Sequence, residues 1–591
     1  MFYGCLRHAG GARYNSYMPA LRHLVTTILL LVGLHALTAA QAADVTKGLD
    51  ATRSLAQAGA VQLALLRIDT LQPQDTAAPL WIEWETLRLQ LLVQLDRNDE
   101  VLQRAGVLPS AVPAAARAGL HAVAARAALA LGRTAVVRDH AGRALWTPGI
   151  NAGALRELRL LVIRSLVRDA RADGAYSSML RFEQDYRPLD VSTASGFVDA
   201  LLDLGMTREA VAWLNLLDER GPVKLRLRLH TGVIAPQDAV TQAHAALGRS
   251  EDPGWWRILL EAADRRNYGA LRITALEQLL ETRGTPGAEG ADAAAVRLWE
   301  AYASHARATA NSHQLLAGDD TSWQEFAIRR RAAEPAEARA YLAYLARFAR
   351  DPKTQQSAQV RLAADFAESK LPRAALRVFG AWPADAGALA TSTRHTLGGL
   401  AEMTGDPARA LRYWQGLPAP DNMPAVVWSL RLSALALRAG RAEVAIDIVR
   451  PLTAEPPAIP AAQLPEWITL AQQFTDHGLH EAARVLFERV LPQVNAAQTR
   501  LVLSGIAQTH AGRGQPLQAA EFYLRSALGA PKEVPLGGAP KDAAATEARL
   551  QAGLSLARAG LRDDAKAQFE WLLKNASDPA QIAIARRELG F

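Results

Sequence analysis

Apolar residues recur three and four positions apart along most of the chain, the spacing that gives a helix one greasy face. The stretches Trp299 to Trp323 and Pro335 to Arg350 follow it, as do the segments on either side of Gly405, Gly440 and Gly478. Runs of valine, isoleucine and threonine alternating with polar residues, the mark of strands, are scarce. The pattern predicts an all-α chain.

Glycines punctuate these helices at a near-constant interval. Gly405, Gly440 and Gly478 are 35 and 38 residues apart. Gly512 or Gly514 follows about one interval later, and Gly560 comes after a Pro/Gly-rich insertion from Gly529 to Pro540. Earlier, Gly132 and Gly205 are two intervals apart, with Gly174 near the midpoint. Five residues after the glycine stands an alanine: Ala210, Ala410, Ala445, Ala483, Ala565. Nine after stands a large apolar residue: Leu214, Trp414, Val449, Phe487, Phe569. Seven before stands a small one: Ala125, Gly398, Ser433, Ala471, Gly553. Glycine suits a left-handed turn at a helix end. Small residues suit close helix crossings, and the large residue fills the gap between one pair and the next. The unit repeated is a helix, a turn and a second helix.

This framework resembles the tetratricopeptide repeat family. It is clearest in Leu397-Gly398 through Gly405-Asp406-Pro407-Ala408-Arg409-Ala410 to Tyr413-Trp414, in Gly553 through Gly560 to Ala565 and Phe569, and in Leu204-Gly205-Met206-Thr207-Arg208-Glu209-Ala210. The resemblance implies a right-handed superhelix of helix-turn-helix repeats. It divides the chain into N-terminal repeats at 43–220, an irregular helical middle at 221–390 and C-terminal repeats at 391–591. It also implies that the first helix of each pair lines a concave groove for a protein or peptide. Carried over residue by residue to the C-terminal repeats, the groove face falls at His395, Glu402, Arg438, Gln472, Thr475, Asp476, Thr509, His510 and Arg558. The lysine and asparagine of the family's carboxylate-gripping groove are missing at the matched positions. Arg438 and Arg558 keep a weaker form of anion recognition.

Residues 18–42 read as a secretory signal peptide, and Met18 is a plausible initiator. Arg22 and His23 precede an apolar run from Leu24 to Leu37, too short to cross a bilayer comfortably, and Ala40-Gln41-Ala42 offers small residues where a signal peptidase cuts. Cleavage after Ala42 makes the mature protein periplasmic, either free or peripheral to the inner or outer membrane, with no membrane span. The alternative is a leader kept as an anchor. The single cysteine, Cys5, lies upstream of the cut, so the mature chain has neither disulfide nor thiolate metal site. Removing Arg7, Arg13 and Arg22 takes the net charge from +7 to about +4. Arginine far outnumbers lysine, as coding in a GC-rich genome produces, and there is no long basic run; nucleic acid is not an expected partner.

No catalytic constellation assembles. Glu368-Ser369 sits at a helix end with no lysozyme-like domain after it. His477 and Glu481 lack a third converging ligand, so no metal is expected. Gly512-Arg513-Gly514 leads to Pro516 without a phosphate-loop lysine, and Asp319-Asp320-Thr321-Ser322 reads as a helix cap. No cofactor is implied. The most distinctive segment holds Trp299, Tyr302, Asn311, Asp320 and Trp323, with Glu300 beside them. Aromatics beside amide and carboxylate groups could grip a glycan or peptide; at helical spacing they equally suit a core.

The leading expectation is a non-enzymatic exported scaffold or adaptor for a partner in cell-envelope assembly, secretion or polysaccharide export. The alternatives are a peptidoglycan- or glycan-binding module and an enzyme with its site in the irregular middle.

Overall fold

The computed structural model describes residues 47–590 apart from 58, 77, 79, 110–111, 149, 283–289, 313–318, 384–386, 455–457 and 530–542. The leader and residue 591 lie outside this set. Among the described residues the chain is helical with no strand. No described helix is long and apolar enough to cross a membrane.

The helices run as antiparallel pairs, most of them joined by one kind of turn. The last residue of the turn takes a left-handed backbone, and the next amide donates to the carbonyl five residues back. The closure is Asp406 N to Ala401 O at 2.9 Å, Arg441 N to Ala436 O at 2.8 Å, Leu479 N to Phe474 O at 2.9 Å and Gln515 N to His510 O at 2.9 Å. It satisfies carbonyls that the helix end would leave bare. The left-handed residues are Gly405, Gly440, Gly478 and Gly514, so Gly514 and not Gly512 is the turn glycine. Pro407 and Pro516 open the second helix at two of these turns, and at the first Asp406 also accepts from Arg409 N at 2.9 Å.

The same closure appears without glycine. Asp96, Ala170, Asn267 and Lys370 all have φ between 54° and 58°. Arg97 N to Leu92 O (2.9 Å), Arg171 N to Leu166 O (2.9 Å) and Leu371 N to Phe366 O (3.0 Å) repeat the bond. From Asp96 through Gly132 and Ala170 to Gly205, and from Lys370 to Gly514, successive turns are 35 to 38 residues apart. Gly174 does not make the expected midpoint turn. It lies inside helix Ala172–Asp185, and Ala170 makes the turn instead.

The chain forms two compact units, one ending at Gln242 and the other beginning at Ala243. In the first, helix 47–57 and Val61–Leu71 precede the pairs Trp81–Gln94 with Asn98–Gly106, Ala114–Ala130 with Thr134–Leu145, and Ala152–Arg168 with Ala172–Asp185. Val191–Asp203 follows, then Thr207–Ala210 running into a 3₁₀ turn, Val211–Leu216. Ala118, Ala125, Ala128, Ala141 and Ala144 form an alanine core that lets the second pair close tightly. Phe182, Phe197 and Trp213 fill the core further on.

The second unit carries Gly254–Arg266 with Gly269–Glu281, then Gly290–Ser312, Asp320–Arg330 with Pro335–Phe348, and Pro352–Glu368 with Pro372–Gly380. The C-terminal pairs are Thr391–Met403 with Pro407–Trp414, Ala425–Arg438 with Ala442–Ala454, Leu464–Asp476 with His480–Val490, Ala496–Gly512 with Pro516–Leu528, and Ala543–Arg558 with Arg562–Asn575; Pro579–Leu589 follows. Gly398 shows why a small residue recurs in the first helix. A Cβ there would overlap the Trp414 indole, whose Nε1 donates to His395 O at 3.0 Å. These are the packing rules of tetratricopeptide-like helix pairs.

The middle departs from simple stacking. Helix Pro372–Gly380 packs back on Gly269–Glu281 and Gly290–Ser312. The Glu281 carboxylate accepts from Arg373 N (2.8 Å) and Ala374 N (3.0 Å), capping a helix 92 residues further along the chain. Trp299 Nε1 donates to Val378 O at 2.9 Å.

Candidate functional site

The first helices of the C-terminal pairs lie side by side: Ala425–Arg438 on Leu464–Asp476, that on Ala496–Gly512, and that on Ala543–Arg558. Their buried faces meet the second helices, which leaves one stripe of each outward. The expected groove residues divide into three kinds.

Glu402 and Arg438 meet across adjacent pairs. Arg438 and Arg431 each donate to Glu402, one to either carboxylate oxygen, at 2.5 Å. Burial disfavours the Glu402 anion, but the two guanidiniums outweigh it and hold the carboxyl below its usual range. Arg431 also lies over the Trp414 ring at 4.9 Å. The anion-binding capacity expected of Arg438 is thus met from within the chain.

His395, Thr475, Thr509 and His510 serve packing and turns. His395 is half-buried with its ring edge-on to Trp428 at 5.2 Å, and desolvation lowers its pKa. It also lines a cleft of about 640 Å³ with Gln356, Val360, Ser392, Pro418 and Asp421. The Thr475 hydroxyl donates to Ala471 O at 3.0 Å. Thr509 is fully buried, donating to Ile506 O at 2.7 Å. His510 stacks on Phe522 at 5.4 Å, with Nδ1 2.8 Å from Gln515 Oε1.

Gln472 is half-buried, while Asp476 and Arg558 face solvent. Arg558 has no carboxylate at ion-pair distance among the described residues. Two residues that sequence reasoning passed over share the stripe: Arg431, two helical turns before Arg438, and Met403, 79 % exposed beside Glu402.

The aromatic segment of the middle is interior. Trp299, Tyr302 and Trp323 are buried, and Trp323 stacks on Tyr344 at 4.8 Å. Tyr302 OH donates to Glu277 Oε1 at 2.7 Å. Asp320 accepts from Arg350 N (2.9 Å) and Asp351 N (3.2 Å), and Asp319 caps its helix at Ser322 N (3.2 Å). The Asn311 side chain lies outside the described residues. These aromatics present no open face to a ligand.

A network that sequence reading did not find runs through this core. Arg339 donates to Glu277, to Asp365 Oδ2 at 2.8 Å and to Ser369 Oγ at 2.8 Å; Arg331 donates to Asp365 Oδ1 at 2.6 Å. Ser369 is thus a hydrogen-bond acceptor of a buried arginine, and its neighbour Glu368 pairs with Arg331. Glu481 pairs with Arg484 (2.6 Å) and Arg513 (2.7 Å), turned away from metal ligation with His477, whose Nδ1 lies 2.8 Å from Gln473 O. Among the described residues no three His, Cys, Asp or Glu side chains gather as metal ligands.

No protein-family model and no curated protein matches the sequence. Solved structures do resemble it. The pentatricopeptide repeat protein PPR10 from maize is 10% identical with a TM-score of 0.27, over 92% of this chain and 86% of its own. The APC/C hetero-tetramer Cut9–Hcn1 is 9% identical with a TM-score of 0.23, over 91% and 95%. Yeast Tom70 is 10% identical with a TM-score of 0.22, over 80% and 96%. At such scores these likenesses are broad, and the helical-repeat assignment rests on the turns and packing described above.

Proposed function

We propose that the chain is an exported, non-enzymatic scaffold that binds a protein or peptide partner along the first-helix face of residues 391–591. The observation that carries this reading is the row of first helices lying side by side, with Asp476 and Arg558 turned to solvent on it. Glu402, Arg431 and Arg438 brace adjacent pairs, so the surface is held in place before a partner arrives, which lowers the ordering cost of binding. Met403, Asp476 and Arg558 are left to meet it. An extended peptide or a partner helix suits such a face.

The leader supports a periplasmic address, with the partner in envelope assembly, secretion or polysaccharide export. Residues 43–220, 221–390 and 391–591 serve in this reading as N-terminal repeats, irregular middle and binding repeats.

The test has two parts. N-terminal sequencing of the protein from a periplasmic fraction should start at Ala43; recovery only from the cytoplasm contradicts export. Affinity purification from envelope extracts should recover a partner that Met403→Glu and Arg558→Glu together release. Retention of the same partner by that double variant contradicts the assigned face.

A further inference from the structure

Tryptophan carries a large apolar surface that is costly to leave in water, and this chain has thirteen. All are buried or half-buried except Trp146, which is 90 % exposed and the most exposed large apolar side chain among the described residues. It sits at the end of helix Thr134–Leu145, in the first unit, and lines a cleft of about 500 Å³. That volume falls within the range of binding sites for drug-sized groups.

The cleft lies between the second helices of two adjacent pairs, Thr134–Leu145 and Ala172–Asp185. Its floor is the intervening first helix, Ala152–Arg168. Leu145, Leu155 and Val162 line it as half-buried aliphatic groups still open to solvent. The rim is charged. Arg159 is already committed, pairing with Asp185 and lying over the Tyr186 ring at 5.7 Å. Arg181 is exposed and has no carboxylate at ion-pair distance among the described residues. The rim therefore carries one uncompensated positive charge beside an apolar slot.

We propose that this cleft is a second docking site, which receives a protein segment carrying a large apolar side chain next to an aspartate or glutamate. The apolar side chain enters between Trp146 and the aliphatic floor; the carboxylate pairs with Arg181. Tryptophan and arginine around an apolar pocket are the usual anchors of a protein interface. A saccharide would stack on the indole alone and find an aliphatic floor where it needs polar partners. The site is on the second-helix side of the first unit, and it does not depend on the first-helix face proposed above.

A random peptide library displayed on phage, panned on the full chain and counter-panned on Trp146→Ala, tests this. Enrichment of peptides with a large apolar residue within two positions of an acidic one is expected. Each should bind Trp146→Ala and Arg181→Glu about tenfold more weakly or worse, and Arg181→Lys nearly as well as the parent. Both side chains are exposed, and melting curves that match the parent will show that the variants fold. Three results would overturn the proposal: no enrichment, enriched peptides that bind Trp146→Ala equally, or Trp146-dependent binding of peptidoglycan fragments in place of peptides.

Discussion

Arg339 and Glu277 stand 62 residues apart in sequence, yet they form a paired, nearly solvent-free contact, Nε to Oε1 at 2.8 Å and Nη2 to Oε2 at 2.5 Å. The contact ties helix Pro335–Phe348 to Gly269–Glu281, and through Asp365 to Pro352–Glu368. Three helices of the irregular middle are thereby locked in one arrangement by charge as well as by apolar packing.

Removing the arginine strands the buried Glu277 carboxylate and leaves Asp365 with Arg331 alone. Arg339→Ala should destabilise the second unit by about 3–5 kcal/mol. Arg339→Met combined with Glu277→Leu should cost less, because the stranded Glu277 is gone and Asp365 keeps its bond to Arg331. Urea unfolding followed by circular dichroism measures both; equal losses in the two variants would show that the ion pair is not the cause.

His121 and His140 form a buried pair with Nδ1 atoms 3.0 Å apart. Burial, then the charge of His140, lowers the His121 pKa to about 4, and burial lowers that of His140. Well above pH 6.5 both rings are neutral, folded or unfolded, and the pair costs nothing. Between 6.5 and about 4 the unfolded chain takes up a proton that the folded one refuses, so stability falls as pH falls, by on the order of 3 kcal/mol at most for His121. His140→Gln should flatten this slope in urea midpoints measured from pH 7.5 to 4.5, and an unchanged slope would count against the pair.

The second unit should respond in the opposite sense. Glu337 lies 3.2 Å from His305 Nε2, and burial, with Glu334 beside it, raises its pKa to about 7. The folded state holds a proton that the unfolded state has lost above pH 4.5. Stability from this group is therefore lost as pH rises from 4.5 through 7. Glu334 shifts downward and the site is partly open, so the net effect is on the order of 1 kcal/mol. Glu337→Gln should be the more stable form at pH 8 and not at pH 5, as read from thermal melts at the two values.

Ala170 makes a turn that glycine makes elsewhere, at φ 54°. A side chain in that conformation costs about 1 kcal/mol, so Ala170→Gly should stabilise the first unit by roughly 0.5–1 kcal/mol. Gly405→Ala should cost a similar amount or more. A urea midpoint that falls in Ala170→Gly would show that the turn is not strained.

These turns also explain what could be read ahead of the structure. Where the left-handed residue is glycine, as at Gly405, Gly440 and Gly478, the interval is visible in the sequence and the helix pairs follow from it. At Asp96, Ala170, Asn267 and Lys370 the backbone makes the same turn with a residue that carries no such signal, and the repeat is hidden. The groove was legible only in part. Glu402 and Arg438 lie on the stripe that the tetratricopeptide resemblance implies, but their mutual pairing depends on how one pair sits on the next. Thr509 faces inward because its helix, Ala496–Gly512, is long and buried along much of its length. The exposure of Trp146 was not foreseeable, since an indole at helical spacing reads as core. The Arg339 network was equally hidden, because its partners come from four helices far apart in the chain.

The most direct measurement is in-cell photo-crosslinking from single sites. A crosslinking side chain replaces Met403, Asp476 or Arg558 on the first helices, and Arg450 or Lys566 on the exposed faces of the second helices. If the first-helix face holds the partner, the first three positions capture one common envelope protein and the last two do not. Capture of that protein from Arg450 and Lys566 but from none of the first-helix positions would place the binding surface on the opposite side and contradict the proposal.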